Sequence, residues 1–168
     1  LQNHIMQLLS LIAMEPPASL SAGAIHDEKV KVIRSIRPFD LNKLDESVIR
    51  GQYDKGYVGG EDVIGYKEEK GVDPNSKIET YVAMKLFVDN WRFAGVPFYI
   101  RGGKRLAKKG TEISVFFKEP PSVLFQHSGK LNDPNVLNIR IQPDEGTSLK
   151  INCKVPGSSD LIQPVKMN

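Results

Sequence analysis

Two neighbouring segments of this chain largely alternate between apolar and polar residues, and this alternation constrains the fold more than any other feature. They are "NVLNIRIQ" at 135–142 and "TSLKINCKV" at 147–155. Side chains of a β-strand point alternately to the two faces of its sheet, so each segment predicts a strand with one apolar face. The intervening "PDEGT" has the length and composition of a hairpin turn. The inward positions are Leu137, Ile139, Ile141, Leu149, Ile151, Cys153 and Val155.

Helices are predicted ahead of these strands. Residues 1–14 carry apolar residues at helical spacing, and the two prolines that follow Glu15 end the helix. A second helix is expected over 28–36, with Asp27 as its amino-terminal cap. The apolar stripes are Leu1, Ile5, Leu8, Leu9 and Ile12 in the first helix and Val30, Ile33 and Ile36 in the second.

The middle of the chain predicts further strands. A short strand is expected in 48–53, and the Gly-rich segment 55–77 is interpreted as a long exposed loop. Strands rich in β-formers follow at 79–89, 97–103 and 111–119, the first of them covered on both faces. Helices first and strands afterwards indicate an α+β fold with a largely antiparallel sheet.

Length and composition are those of one ordinary globular domain. The 168 residues carry a net charge of +3, less than the excess typical of a nucleic-acid-binding protein. Cys153 is the only cysteine, which excludes an internal disulfide and favours a reducing, cytoplasmic location. No apolar run approaches the ~20 residues of a membrane span. The chain opens on Leu1 within a helical pattern and ends on "PVKMN", so we expect it to be a piece of a longer protein.

The segment "GVPFYIRGGKRLAKKG", 95–110, concentrates positive charge. Five of the nine residues from Arg101 to Lys109 are basic. A phosphate-binding P-loop is excluded, because Phe98 stands where its first glycine would be and Arg105 where its hydroxyl residue would be. No G-x-G-x-x-G follows a strand. The residues alone leave three interpretations open: a solvated basic loop, a site for a phosphorylated substrate, or a nucleic-acid contact.

Three histidines are candidates for proton transfer. His4 lies at the edge of the apolar face of the first helix, where a general base could be partly desolvated, although for this residue taken alone a structural boundary histidine is the favoured interpretation. His26 is interpreted as structural, and His127 lies near a predicted turn. No His, Cys, Asp and Glu residues have metal-ligand spacing, so no metal is expected.

Several long stretches, in order, resemble glucose-6-phosphate dehydrogenases. They are "LQNHIMQLLSLIAMEPP", "DEKVKV", "RGQY", "ETYVAMKLFVDNWRFAGVPFYIRGGKRL" and "RIQPDE". The resemblance implies that residues 1–168 are part of the C-terminal β+α domain of a two-domain enzyme, whose N-terminal NADP-binding Rossmann domain is absent from this chain. Such an enzyme oxidises β-D-glucose 6-phosphate to 6-phosphoglucono-δ-lactone with NADP, the first step of the oxidative pentose phosphate pathway.

The resemblance also implies roles for single residues. Gln2-Asn3-His4 match the end of the family's Asp-x-x-Gln-Asn-His pattern, which makes His4 the general base that takes the C1 hydroxyl proton. Lys104, Lys109 and Gln142 match residues that contact glucose 6-phosphate. The 168-residue piece alone is expected to be inactive.

Two further expectations follow from the family. Its sheet forms the subunit interface, so we expect a homodimer or a dimer of dimers. Some animal members bind a second, structural NADP, and Arg101, Arg140 and Lys150 match basic positions of that site. Gly110, Ser114 and Ser148 depart from it, which argues against a structural NADP here. The alternative to an enzyme fragment is a non-catalytic phosphate- or nucleic-acid-binding module, or an oligomerisation module.

Overall fold

A computed structural model describes residues 2–118, 134–157 and 162–168, without the side chain of Gln2. The chain divides into two compact units, 1–107 and 108–168. The first contains two helices and two small sheets, and the second contains a four-stranded sheet.

The two α-helices of the first unit are α1 (Gln2–Ala13) and α2 (Ala22–Arg34). α1 confirms the prediction for 1–14. α2 begins six residues before the predicted start, because Ser21 rather than Asp27 is the cap: its Oγ accepts a hydrogen bond from the Ala24 backbone N–H at 3.3 Å. Within the described residues no helix is both long and apolar enough to cross a membrane.

The predicted apolar stripe of α2 was wrong in one respect. Val32, which the stripe omits, is its buried residue, whereas Ile33 is exposed. With the helix starting at Ala22, the side that meets α1 and the sheet is the one that carries Val32. The stripe alone did not identify this side, because the sequence does not say which neighbours the helix meets.

The main sheet of the first unit has the strand order β1–β4–β5, all antiparallel. Its strands are β1 (Val48–Gly51), β4 (Tyr81–Phe87) and β5 (Pro97–Gly103), close to the predicted segments. The prediction that β4 is covered on both faces is not matched among the described residues, since Leu86 is buried and Lys85, on the opposite face, is exposed.

Helices and sheet meet in one apolar core. Its buried members are Leu9, Ala13, Val32, Leu86 and Val88, flanked by partly buried residues that include Met6, Met84, Phe98 and Ile100. Asn90 fastens the carboxyl end of α1 to the β4–β5 connection. Its Nδ2 donates to the Ala13 carbonyl at 2.9 Å, and its Oδ1 accepts from the Phe93 N–H at 2.9 Å.

The segment predicted as a long loop contains regular structure. β2 (Gly56–Val58) and β3 (Glu61–Val63) form a hairpin whose two-residue turn is Gly59-Gly60, at φ values of 65° and 97°. Only glycine adopts such angles without strain, so this pair selects the tight turn. Short 3₁₀ helices occupy Leu41–Glu46 and Tyr66–Glu68.

The second unit is an antiparallel sheet in the order β6–β7–β8–β9. Its strands are β6 (Thr111–Phe116), β7 (Val136–Gln142), β8 (Gly146–Lys154) and β9 (Ile162–Met167). The predicted hairpin is present, and Leu137 pairs with Leu149 on its apolar face. β9 was not predicted, because Pro164 and the mixed polarity of this segment weaken its strand signal; a proline is tolerated in an edge strand such as this one. The α+β class with a largely antiparallel sheet is confirmed.

We expect Leu86→Ala to destabilise the protein by about 2–5 kcal/mol, because it removes apolar atoms from the core and leaves a cavity. Leu20→Ala is the matched control, since Leu20 is 88% exposed and should cost less than about 0.5 kcal/mol. Urea denaturation of both variants measures the difference. Equal midpoints for the two would show that this cluster is not the core.

Candidate functional site

His4 lies in the first turn of α1, and its side chain is exposed. The partial desolvation expected of it is therefore not provided by the residues described here. Asn90 bonds the carboxyl end of α1 to the β4–β5 connection, and Met6, two residues after His4, packs against the core, so the helix that carries His4 is held to this core.

Lys104 directly follows β5, and its side chain is exposed. Its backbone N–H donates to the carbonyl of Thr80 at 2.8 Å, which extends the β4–β5 pairing by one step. Thr80 is itself buried: its N–H donates to the Gly51 carbonyl, and its Oγ1 accepts from the Tyr53 N–H at 2.9 Å. The backbone of Lys104 is thus linked, through Thr80, to the start of β4 and to the end of β1. Its side chain is exposed to solvent.

Gly103 permits close packing immediately before Lys104. A Cβ at this position would lie 2.9 Å from Cδ2 of Tyr81 and 3.1 Å from Cδ2 of Leu106. Real Cβ atoms do not approach carbon atoms this closely, so any larger residue would displace one of these side chains. The glycine is explained by this contact within the first unit.

Arg105, the next residue, has a backbone conformation that is rare for a side chain of its size, with φ of 51°. Its Nη2 lies 2.5 Å from Oε1 of Glu69, and its guanidinium lies over the ring of Tyr53 at 5.4 Å. The hydroxyl of Tyr53 donates to the same Glu69 oxygen at 3.0 Å. Burial and, secondarily, this hydrogen bond raise the pKa of Tyr53. We call Tyr53, Glu69 and Arg105 the Glu69 clamp.

The Glu69 clamp was missed in the sequence. Arg105 was considered only as a mismatch to the P-loop pattern, and Glu69 fell in the segment interpreted as a loop. The contact joins residues 36 positions apart, and no local periodicity or motif spacing signals a pair of that kind. A positive φ at an arginine likewise has no sequence signature.

Lys109 and Gln142 belong to the second unit and come together at one end of its sheet. Gln142 is the last residue of β7 and is paired with Thr111, the first residue of β6. A Cβ on Gly110 would lie 3.4 Å from the Gln142 carbonyl oxygen, so the Lys109–Gly110 segment runs beside the end of β7. Both side chains are exposed. His4 and Lys104 lie in the first unit.

The remaining candidates are the other two histidines and a metal site. His26 lies on α2 and is exposed, with its Nδ1 3.9 Å from Asp27, and His127 lies outside the described residues. Among the residues that the structure describes, no three His, Cys, Asp or Glu side chains are grouped so that they could hold a metal ion.

Comparison with known proteins identifies the class of this chain. The family described as "Glucose-6-phosphate dehydrogenase, C-terminal domain" matches residues 1–168. A glucose-6-phosphate 1-dehydrogenase of Chlamydia pneumoniae is 51% identical, and one of Bacillus subtilis is 48% identical, each over 99% of this chain and about a third of its own length.

Solved structures agree with the sequence relatives. A glucose-6-phosphate 1-dehydrogenase from Mycobacterium avium matches with a TM-score of 0.81 at 37% identity, over 99% of this chain and 33% of its own. A glucose-6-phosphate dehydrogenase in complex with its substrate glucose-6-phosphate matches with a TM-score of 0.83 at 35% identity, over 99% of this chain and 32% of its own. This chain belongs to the glucose-6-phosphate dehydrogenase family, and it spans about a third of the length of the curated relatives it matches.

We expect Gly103→Ala to lower the free energy of unfolding by about 1–3 kcal/mol, because the added methyl group collides with Tyr81 and Leu106. Gly23→Ala is the control, and it should change the free energy of unfolding in the opposite direction. Gly23 lies in α2 with nothing near its Cβ position, and alanine there should stabilise by roughly 0.5–1 kcal/mol. Denaturant titration of both variants tests the pair. A neutral Gly103→Ala would refute the close contact.

Proposed function

We propose that the full-length protein containing this chain oxidises β-D-glucose 6-phosphate to 6-phosphoglucono-δ-lactone with NADP as hydride acceptor. The observation that carries the proposal is the family match over the whole chain, at about half identity to proteins named glucose-6-phosphate 1-dehydrogenase. A similar solved structure is described as a complex with glucose-6-phosphate, which supports the choice of substrate. The reaction would open the oxidative pentose phosphate pathway.

His4 is the general base of this proposal. The imidazole accepts the proton of the C1 hydroxyl as the C–H bond at C1 transfers its hydride and the C1 carbonyl of the lactone forms. The exposed position of His4 on a helix fixed to the core supports this role, because the ring is accessible while its backbone is held. General-base catalysis is typically worth about 10²–10⁴ in rate.

Lys104, Lys109 and Gln142 are the substrate-binding residues. The two ammonium groups complement the dianionic phosphate of the sugar, and the amide of Gln142 can donate to or accept from a sugar hydroxyl. Support comes from their common exposure, from the backbone contacts that hold Lys104, and from the approach of 109–110 to the end of β7. A hydrogen bond from a charged donor contributes roughly 1.5–3 kcal/mol.

The coenzyme would be bound mainly by a part of the full-length protein outside this chain. NADP supplies the nicotinamide that accepts the hydride from C1. The chain has no G-x-G-x-x-G after a strand and spans a third of its relatives, both of which support a separate coenzyme domain.

We predict no structural NADP on this domain. Ser114 and Ser148 replace the family's larger side chains, and Ser114 Oγ lies 2.7 Å from Asn138 Oδ1, within a row that continues to the buried Ser148. At Ser114, Asn138 and Ser148, this row has no cation that could bind a phosphate and no aromatic ring that could stack on a base. No metal is expected in the reaction.

The expected assembly is a homodimer or a dimer of dimers in a reducing, cytoplasmic compartment, without nucleic-acid or membrane partners. The sheet of the second unit supports an interface, because its own described residues include no helix to cover the apolar face around Leu137 and Leu149. The exposed edge residues Val165 and Met167 extend that apolar face.

In the full-length protein, His4→Asn should lower kcat by about 10²–10⁴ with little change in affinity for glucose 6-phosphate, because asparagine cannot accept the C1 hydroxyl proton. The matched control is His26→Asn, at an exposed histidine on the neighbouring helix, which should retain kcat. Steady-state NADPH formation measures both. Retained turnover in His4→Asn would remove His4 from the mechanism.

The 168-residue chain by itself should show no NADP reduction with glucose 6-phosphate, because the proposed coenzyme domain lies outside it. The assay compares this chain with the full-length protein at equal molar concentration. NADPH formation by the chain alone would contradict the proposal that the coenzyme is bound mainly outside this chain.

A further inference from the structure

We propose that Glu69 and Arg105 are positioning residues that set the direction of Lys104 towards the phosphate of the substrate. The inference rests on the proposed function, in which Lys104 binds that phosphate. It concerns the segment 55–77, which otherwise has no role in the site.

Lys104 is held between two fixed backbone points. On one side its own N–H is bonded to the Thr80 carbonyl at 2.8 Å. On the other side Arg105 occupies the left-handed region at φ 51°, which changes the chain direction immediately after the lysine. A left-handed conformation at a residue with a long side chain is unfavourable and persists where its surroundings hold it.

The Glu69 clamp holds Arg105 in this left-handed conformation. One carboxylate oxygen of Glu69 meets both the guanidinium of Arg105, at 2.5 Å, and the hydroxyl of Tyr53, at 3.0 Å. The face of the Tyr53 ring lies beneath the guanidinium, which adds a cation–π contact. The Glu69 side chain is only 27% exposed, so water competes with these contacts less than at an open surface.

Glu69 is in turn fixed by the turn that carries it. Its N–H donates to the Tyr66 carbonyl at 3.2 Å, and the Tyr66 N–H donates to the Tyr53 carbonyl at 3.0 Å. The rings of Tyr53 and Tyr66 pack edge to face, with centroids 5.7 Å apart. The buried Gly65 donates its N–H to Glu68 at 3.0 Å, which closes the same turn. The carboxylate therefore reaches Arg105 from a rigid base.

Loss of the Glu69 carboxylate would leave Arg105 free to return to an ordinary φ, and the change would re-aim the neighbouring lysine. Electrostatics alone predicts the opposite effect on binding. Removing Glu69 makes the surroundings of Lys104 more positive, which by itself attracts a dianionic sugar phosphate more strongly. The two explanations thus predict changes of opposite sign.

The test uses Glu69→Gln in the full-length protein. We expect the KM for glucose 6-phosphate to rise about tenfold, which corresponds to a loss of about 1.4 kcal/mol of binding free energy, with kcat little changed. Calorimetric titration with glucose 6-phosphate should show Kd rising by a similar factor. An unchanged or lower KM and Kd would overturn the proposal.

Asp89→Asn is the matched control for a lost ion pair. Arg37 and Asp89 form a comparable contact in the same unit, with Arg37 Nη2 2.6 Å from Asp89 Oδ1. This pair is about half exposed and is not connected to Lys104 by any contact described above. The variant should leave KM unchanged. An equal rise in KM for Asp89→Asn and Glu69→Gln would overturn a specific role for Glu69.

Comparison of Arg105→Gly with Arg105→Ala separates the effect of the backbone conformation on KM from the effect of the lost charge. Both remove the guanidinium, but glycine adopts φ 51° readily and alanine does not. We expect the larger rise in KM for alanine. Equal KM values would overturn a role for the backbone turn and with it the proposal. Circular dichroism of each variant checks that it is folded before its KM is compared.

Lys104→Ala distinguishes failure of this inference from failure of the proposed function. If Lys104→Ala raises KM but Glu69→Gln does not, the positioning role is overturned while the substrate site stands. If Lys104→Ala leaves KM and Kd unchanged, the substrate-binding role of Lys104 fails, and the positioning role fails with it.

Discussion

The apolar core shared by α1, α2 and the sheet organises the first unit, and two of its members, Ala13 and Val88, are fully buried. Ala13 is the last residue of α1, and Asn90 bonds to its carbonyl oxygen. Leu9 and Met6 continue the contact of α1 with the core towards its first turn. The position of His4 in its first turn therefore depends on packing that occurs about nine residues away.

The same core orients β5, the strand that leads to Lys104. Phe98 and Ile100 of β5 pack against the cluster, and the β4–β5 pairing fixes how far along the sheet the strand ends. Lys104 emerges where that pairing stops. His4 and Lys104 are thus exposed groups on a buried frame, an arrangement that suits the ligand-binding roles proposed for them because the backbone is held while the side chains are accessible.

Positioning of Lys104 combines local and distant contributions. Its preceding residue is a glycine because Tyr81 and Leu106 leave no room for a Cβ. Its following residue is held in a left-handed conformation by a carboxylate from a segment 36 residues earlier. The segment 55–77 has few apolar residues for a core, and its 3₁₀ turn at Tyr66–Glu68 places Glu69 in contact with Arg105.

The sequence by itself determined the α+β class, the strands from β4 to β8 and the family, because periodicity of two, glycine turns and long ordered motifs are all local signals. The proposed site residues His4, Lys104, Lys109 and Gln142 were identified from the family's motifs and not from residue spacing. The start of α2 is set by a local cap, Ser21, which the sequence-based prediction missed in favour of Asp27. The buried Val32 of α2, the edge strand β9 and the Glu69 clamp were decided only by tertiary structure. Each of these three depends on which distant residue supplies a packing face, a pairing partner or a counter-charge, and local sequence patterns do not identify that residue.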